Sequence, residues 1–264
     1  MMESRKQKER ELHNLLRSND LKKDDEKFRY LTSNKKFYSI NRKSLNFFRD
    51  WLLRESRGKK VLDYCCGNGE QAIFLAKNGI EVVGIDISDT SIENCRQIAR
   101  QEKVDNKATF LVMDAEKTEF PDNHFDTILC AGVLHHLDTS KAFPELSRIT
   151  KPGGKVICDE PLVYNPIFHL YRKMTPHLRT AWEMEHILSK KDLDVAKESF
   201  AGVETNFFHL FSVAAVPFRN TAVFEPVLGL LEKADDLALK LPLVKWLAWQ
   251  IVFVLSSPKK YETT

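Results

Sequence analysis

The sequence predicts an α/β protein: a doubly wound, mostly parallel sheet of seven strands, with helices before it and a helical insertion after the fifth strand. Three observations carry this. From Lys59 onward, short and nearly continuous apolar runs alternate with helix-period segments, the pattern of parallel strands covered on both faces. Chain punctuation falls between the runs, with Gly79 closing one helix, Ser88 opening the next and Lys151-Pro152-Gly153-Gly154 marking a turn. Finally, Asp63, Asp86 and Asp114 lie at or beside the ends of the first three runs, the edge where open α/β sheets bind ligands.

The elements follow in order. The first forty residues are polar and helical in pattern, broken by the hydrophilic stretch SNDLKKDDEK. A helix over 41–57 would set Leu45, Phe48, Trp51 and Leu52 on one face. KVLDYC reads as the first strand and EQAIFLAKNG as a helix; EVVGID is the second strand. Ser88 caps DTSIENCRQIARQEK, with Ile92, Cys95, Ile98 and Ala99 facing inward. ATFLVMD and FDTILCAGV are strands three and four. A helix around 139–150 ends at KPGG, which launches the fifth strand, KVICDE. After Pro161 comes a Tyr-, His- and Arg-rich helical insertion containing NPIFHLYRKMTPHLRT. VETNFFHLFSVAAV is expected to return as a strand, 225–240 as an amphipathic helix and WQIVFVLSS as a last, antiparallel strand.

Composition narrows the class. A chain of 264 residues with 43% hydrophobic and 29% charged residues is that of an ordinary globular protein. Its net charge is only +3, but residues 1–60 hold 18 Lys/Arg against 9 Asp/Glu. That basic segment is read either as a solvated helical face or as a contact for an anionic partner. Five scattered cysteines without a CxxC pair do not form a disulfide framework and suggest a reducing compartment. With no apolar signal segment near Met1, and Lys245 and Gln250 inside the longest apolar stretch, the expected location is cytoplasmic without a membrane span.

The stretch VLDYCCGNGE, residues 61–70, decides the chemistry. A metal site would need converging Cys/His ligands, and vicinal Cys65 and Cys66 lack a second pair; no metal is expected. A P-loop would need Lys-Ser/Thr after its glycines, where Glu70 and Gln71 stand. A dinucleotide fold tolerates Ala72 as the third small residue, but Glu70 would repel a pyrophosphate at the helix start. A cation-bearing nucleoside without phosphate fits better. Asp63 suits an ammonium or sulfonium, and Gly67 and Gly69 admit close backbone approach. Asp86, 17 residues beyond Gly69, can accept from both ribose hydroxyls. Asp114-Ala115-Glu116 can meet an adenine amino group.

In order and spacing, residues 58–162 resemble the class I S-adenosylmethionine-dependent methyltransferases of the type 11-like group. VLDYCCGNG is similar to their first motif, hh(D/E)xGxGxG, and VVGIDIS to the ribose-binding acid strand. VMDAEKTEF resembles the adenine motif, FDTILCAGVLHHL the fourth strand with its exit loop, and ELSRITKPGGKVICDEP the helix, turn and fifth strand. VLHHLD and KPGG look most like the subgroup of quinone, sterol and small-metabolite enzymes. The resemblance implies S-adenosylmethionine as cofactor, held by Asp63, Cys65, Gly67, Gly69, Asp86, Ile87, Asp114, Ala115 and Ala131. Cys65 departs from the pattern by replacing the first glycine. If that position requires φ > 0, the side chain costs about 1 kcal/mol or more, and Cys65→Gly is expected to tighten cofactor binding modestly. Cys66 stands where the family commonly has a small residue.

Methyl transfer is an in-line displacement governed by positioning and exclusion of water, with a general base needed for a hydroxyl acceptor. His135 and His136 follow the fourth strand, and Asp159 and Glu160 end the fifth. His136 and Glu160, with His135, are the acid/base candidates; packing of the histidines and capping by the acids are the structural alternatives. In the insertion, Tyr171, Arg172, His177 and Arg179 suit an acceptor bearing carboxylate or phosphate, or an ordinary helical cap. Phe37, Tyr38 and Arg42 either close over the cofactor as a lid or anchor a helix. LVKWLAWQIVFVL is read as a core edge and last strand, with a membrane-dipping segment as the alternative if the acceptor is a lipid.

The expected organisation is a helical lid over 1–57, a cofactor-binding core over 58–160, an acceptor-binding insertion over 161–202, and sheet-completing elements over 203–264. The expected activity is transfer of a methyl group to a small-molecule, lipid or glycan-like acceptor at oxygen, without a stable nucleic-acid partner. Two rivals stand beside it: an RNA methyltransferase using the basic segment, which lacks an RNA-binding module or NPPY-type motif, and a non-catalytic cofactor-binding interaction protein.

Overall fold

The computed structural model describes residues 2–17, 33–178 and 180–260. Helix α1 spans Met2–Arg17, and a 3-10 helix over Ser33–Ile40 leads into α2, Arg42–Glu55. The alternation then follows: β1 Val61–Tyr64, α3 Glu70–Lys77, β2 Val82–Asp86, α4 Asp89–Gln101, β3 Ala108–Val112 and β4 Phe125–Ala131. Helix α5, Thr139–Ile149, precedes β5, Thr150–Pro161. The insertion carries α6 Pro166–Met174, α7 Ala181–Glu185 and α8 Lys190–Ser199, followed by β6 Phe200–Phe208, α9 Phe224–Ala238 and β7 Gln250–Pro258.

The seven strands lie in the order β3-β2-β1-β4-β5-β7-β6, a doubly wound, mostly parallel sheet in which β7 runs antiparallel to both β5 and β6. From β1 the chain builds outward through β2 and β3, then returns to lay β4 on the other side of β1. The loops after β1 and β4 therefore leave the sheet in opposite directions and open a crevice at their C-terminal ends. Buried side chains form one core on each face. Leu62, Tyr64, Phe143, Val156 and Phe253 belong to the first; Phe48, Leu52, Leu75, Ile92 and Ile157 belong to the second.

Local chemistry sets the helix starts. Ser88 accepts from the Ser91 N–H at 3.0 Å, Asp138 accepts from Ser140, and Asn165 accepts from Ile167 and Phe168 just before Pro166, so each cap satisfies free N–H groups of a first turn. Ser189 and Asp192 form a capping box on α8. Gly79, at φ 79°, closes α3 as expected.

Two expectations change. The sixth strand stops at Phe208 instead of running to Val216, because its one partner, β7, begins at Gln250 opposite Phe208. Beyond that point no ladder is available: His209 turns at φ 65°, Asp235 takes the N–H groups of Phe211 and Ser212, and Ser212–Phe218 coils into a 3-10 helix. The fifth strand starts earlier than Lys155. Thr150 already pairs with Phe125, and KPGG is an irregularity inside the strand, with Gly153 at φ 79°. The SNDLKKDDEK break lies outside the described residues.

The turn at His209 carries a pH response. Its Nε2 lies 3.0 Å from Ser44 Oγ, which donates to Gln250 Oε1, and its Nδ1 lies 3.2 Å from Ser212 Oγ. Burial, with the charge of Lys43 adding, pushes its pKa down to about 3. Below the ordinary histidine range the unfolded chain therefore takes up a proton that the native state refuses, and stability falls as pH drops. This group alone is expected to remove about 1.4 kcal/mol between pH 7.5 and 5.5. Urea midpoints at the two pH values check it, with His209→Gln expected to flatten the difference.

Candidate active site

The crevice opens into a cavity of about 750 Å³. Asp63, at the end of β1, is buried, and its Oδ2 accepts the Ala72 N–H of α3 at 3.0 Å. Burial, with the charges of Asp86 and Glu70 adding, raises its carboxyl to about 7. The following turn contains three left-handed residues, Cys65 (φ 58°), Gly67 (φ 55°) and Gly69 (φ 75°). At Gly69 a Cβ would lie 2.9 Å from Cys95 Sγ, so glycine is required there on space as well as conformation. Cys65 holds a backbone position suited to glycine. Burial pushes the Cys65 thiol well up, and a hydrogen bond with Cys95, with burial adding, does the same at Cys66, which leaves neither as a ready nucleophile. Glu70 points outward to Arg49 at 2.9 Å.

Asp86 is held from two sides: Oδ2 accepts the Gly67 N–H at 2.9 Å and Oδ1 the Ser88 N–H at 2.8 Å. This carboxylate is thus locked to the glycine turn. Asp114 accepts the Glu116 N–H at 3.0 Å, and Ala115 is buried, its carbonyl accepting from the Tyr64 hydroxyl. Asp63, Cys65, Gly67, Asp86, Ile87, Asp114, Ala115 and Ala131 all line the cavity; Gly69 shapes the turn behind it.

On the far side of the crevice Glu160 builds the loop after β4. It is fully buried; Oε1 accepts the N–H groups of Val133 and Leu134, each at 2.7 Å, and Oε2 lies 2.7 Å from His135 Nδ1. It is not among the residues that line the cavity, and it holds His135 and the loop in place. Its charge raises the pKa of His135 against the opposing effect of burial. Asp159, one residue earlier, does line the cavity; its Oδ1 is buried without a hydrogen-bond partner. Burial and the neighbouring Glu160 charge push this carboxyl up to about 7.

Sequence reasoning expected a lid over 1–57 but named no residue of α1 at the site. Arg5 pairs with Glu116 and donates to the His136 carbonyl at 2.7 Å. Lys6 reaches Asp114 at 2.5 Å and Glu116 at 3.0 Å. Arg17 lies 3.5 Å from Asp86 and donates to Ser91. Glu9, buried, accepts from Thr180 and lies 3.0 Å from His136 Nδ1. Ligand atoms of Glu9, His13 and His136 lie within 4.8 Å of one another, a donor set of the kind zinc accepts, although the Glu9–His136 contact is already explained as a hydrogen bond. The available signal was a run of cations at positions 5, 6, 10 and 17 with Glu9 and His13 one helical turn apart.

The remaining candidates separate. Tyr171 and Arg172 line the cavity, with Arg172 buried and donating to the Leu162 carbonyl at 3.0 Å. Arg179 and the side chain of His177 lie outside the described residues. Phe37 and Tyr38 also line the cavity, Phe37 packing edge-on against Phe168 and Tyr171. Arg42 does not join them; it is held by Glu225 and Glu232 of α9 at 2.6 and 2.7 Å and braces α2.

Residues 62–158 match the family described as Methyltransferase domain. Similar curated proteins include 27-O-demethylrifamycin SV methyltransferase from Amycolatopsis mediterranei (strain S699), 36% identical over 101 residues that span 38% of this chain and 37% of that protein. Demethylmenaquinone methyltransferase from Lactiplantibacillus plantarum is 33% identical over 121 residues, 42% of this chain and 51% of that protein. The chain therefore spans about half or less of these relatives' length. Among solved structures, the PH0226 protein from Pyrococcus horikoshii OT3 is alike in fold, with a TM-score of 0.56 at 22% identity over 83% of this chain and 91% of that one.

Glu160 is the most consequential single side chain of the loop. Glu160→Ala strands two buried N–H groups and His135, and is expected to cost about 3 kcal/mol, a fall in thermal midpoint of roughly 5–10 °C. Glu160→Gln keeps an oxygen for the two N–H groups and should lose visibly less. Equal losses for the two variants would contradict this account.

Proposed function

We infer that this chain, which belongs over residues 62–158 to the methyltransferase-domain family and has the class I S-adenosylmethionine-dependent methyltransferase fold, transfers a methyl group to a small-molecule, lipid or glycan-like acceptor at oxygen. The observation that carries this reading is the donor set at the β1/β4 crevice. Asp63, Asp86 and Asp114 line one cavity together with Gly67 and the small Cys65 of a left-handed turn, and they suit a nucleoside that is cationic and has no phosphate. When bound, S-adenosylmethionine supplies an electrophilic methyl group on a sulfonium.

The chain's own residues supply the rest. Asp63 and the Gly67–Gly69 turn would hold the methionine portion, Asp86 the ribose, and Asp114 with Ala115 the adenine; Cys65, Ile87 and Ala131 complete the walls. A hydroxyl acceptor needs a proton acceptor nearby, and His135, His136 and Asp159 all line the same cavity. His136 is oriented by Glu9 at 3.0 Å, and the Asp159 carboxyl is raised to about 7. Glu160 would act through His135. Arg172 and Tyr171 would anchor the acceptor, and α1 with Phe37 and Tyr38 would exclude water. The rifamycin relative is named for a 27-O position, which supports oxygen as the receiving atom. Against the RNA reading, Arg5, Lys6, Arg10, Arg17, Arg42, Lys43 and Arg49 all pair with carboxylates of this chain, leaving much of the basic N-terminal charge already engaged.

Titration calorimetry with S-adenosylmethionine or its demethylated product tests the reading, and absence of binding at millimolar ligand would sink it. A cation beside Asp63 draws its carboxyl from about 7 back toward the ordinary range. Binding at pH 7 should therefore release protons, and affinity should rise as pH is raised through 7. Asp86→Ala is expected to weaken binding by about tenfold or more. Cys65→Gly is expected to tighten it by up to about threefold, relieving part of the left-handed strain.

A further inference from the structure

The outer face of the C-terminal third is apolar where water would favour polar groups. On α9, Leu230 and Leu237 are each 69% exposed and, seven residues apart, share one side of the helix. The segment that follows adds Leu241, Leu243 (84% exposed) and Leu247. Helix α6 repeats the pattern with exposed Ile167, Leu170 and Met174 at i, i+3 and i+7. The two stretches are joined: Asn165 donates to the Leu247 carbonyl at 2.8 Å, and Phe168 of α6 shares a buried cluster with Leu228 of α9. An apolar surface of this kind on a monomer marks an interaction site.

Its charge outside ion pairs among the described residues has one sign. Lys173, Lys233 and Lys240 are exposed and carry no ion pair among the described residues. The ammonium of Lys245 lies 5.1 Å from the Phe207 ring. The acids of α9 are engaged elsewhere: Glu225 and Glu232 hold Arg42, Asp236 holds Lys43, and Asp235 accepts from Phe211 and Ser212. Leucines interspersed with lysines, with Glu232 and Asp235 buried and the exposed Glu225 and Asp236 each paired to a cation of α2, are the composition of a helix lying in the plane of an anionic interface.

We propose that this leucine-and-lysine face, formed by α9, the 239–247 segment and the outer side of α6, docks the protein onto the surface of an anionic lipid bilayer. No helix among the described residues is long and apolar enough to cross a membrane, so the contact is peripheral. Helix α6 links it to the cavity, because Ile167, Leu170 and Met174 face outward while Tyr171 and Arg172 line the cavity wall. A lipid-like acceptor partitioned into the bilayer would then reach the site across α6. That extension rests on the methyltransferase reading, whereas the docking itself does not.

Pelleting of the full chain with sucrose-loaded vesicles tests it, comparing phosphatidylcholine alone with vesicles containing about 30% phosphatidylglycerol. The expected result is binding to the mixed vesicles, at least about tenfold weaker for phosphatidylcholine alone and in high salt. The double variant Leu237→Ser/Leu243→Ser should lower binding by about tenfold or more, and Lys233→Glu/Lys240→Glu should abolish the preference for anionic lipid. All these side chains are exposed, so thermal midpoint and cofactor affinity should stay unchanged. Three results would overturn the proposal: no pelleting with either vesicle, pelleting undiminished by the leucine variant, or a leucine-dependent dimer in light scattering without vesicle binding. Failure of cofactor titration with vesicle binding intact would remove the methyltransferase reading and leave the docking surface.

Discussion

Parallel strands that end side by side crowd their acids together, and this protein gathers Asp63, Asp86, Asp114, Glu116, Asp159 and Glu160 along one edge of the sheet and the loops leaving it. Their charges must be offset or suppressed where water is scarce. Three devices do this. Backbone N–H groups cover Asp86 and Glu160. Cations of α1 meet Asp114, Glu116 and Asp86. Asp63 and Asp159 instead hold protons more tightly, each near 7. The division follows geometry: among the described residues no cation pairs with the two acids whose pKa values are raised, while Glu160 takes two N–H groups and His135 on its two oxygens.

Helix α1 depends on this arrangement. Its sixteen residues, MESRKQKERELHNLLR, offer few apolar side chains, and a helix of that length is marginal alone in water. What fixes it is polar: Arg5, Lys6 and Arg17 on the sheet-edge acids, Glu9 on His136, and Arg10 and Asn14 on Asp89. The acids that seat α1 are the ones a cationic nucleoside would address. Occupancy of the crevice and the seating of α1 are therefore coupled, because each alters the electrostatic free energy available to the other.

Much of this was legible in the sequence, for reasons that can be named. Near-continuous apolar runs punctuated by Ser88, Gly79 and KPGG fix strand and helix identity locally, and the acids at the ends of the first three runs fall at the ligand edge once the sheet is parallel. What was not legible depends on partners distant in sequence. The sixth strand ends at Phe208 because β7 begins opposite it, at Gln250, which no local pattern at HLFSVAAV reveals. Glu160 and Asp159 are adjacent acids of one strand, yet one turns into the core and the other lines the cavity; the alternation of a strand says that they differ, not which faces the ligand. Arg42 and Arg17 are both arginines of a basic segment, and only the tertiary fold sends one to Glu232 and the other to Asp86.

Cys65 shows how such a position tolerates a departure from glycine. Its φ of 58° places an L-residue where the backbone favours none, a cost of roughly 1–2 kcal/mol. Against that, the cysteine side chain packs on the core cluster of the first sheet face, and a residue with a Cβ loses less conformational freedom on folding than glycine does. The terms are of similar size and opposite sign, so the turn survives. The next two left-handed positions differ, since a Cβ at Gly69 would meet Cys95 and Phe110 at 2.9 and 3.2 Å and one at Gly67 would meet the Arg17 guanidinium at 3.2 Å. Space, more than φ alone, separates the glycine that could be replaced from the two that line up behind it.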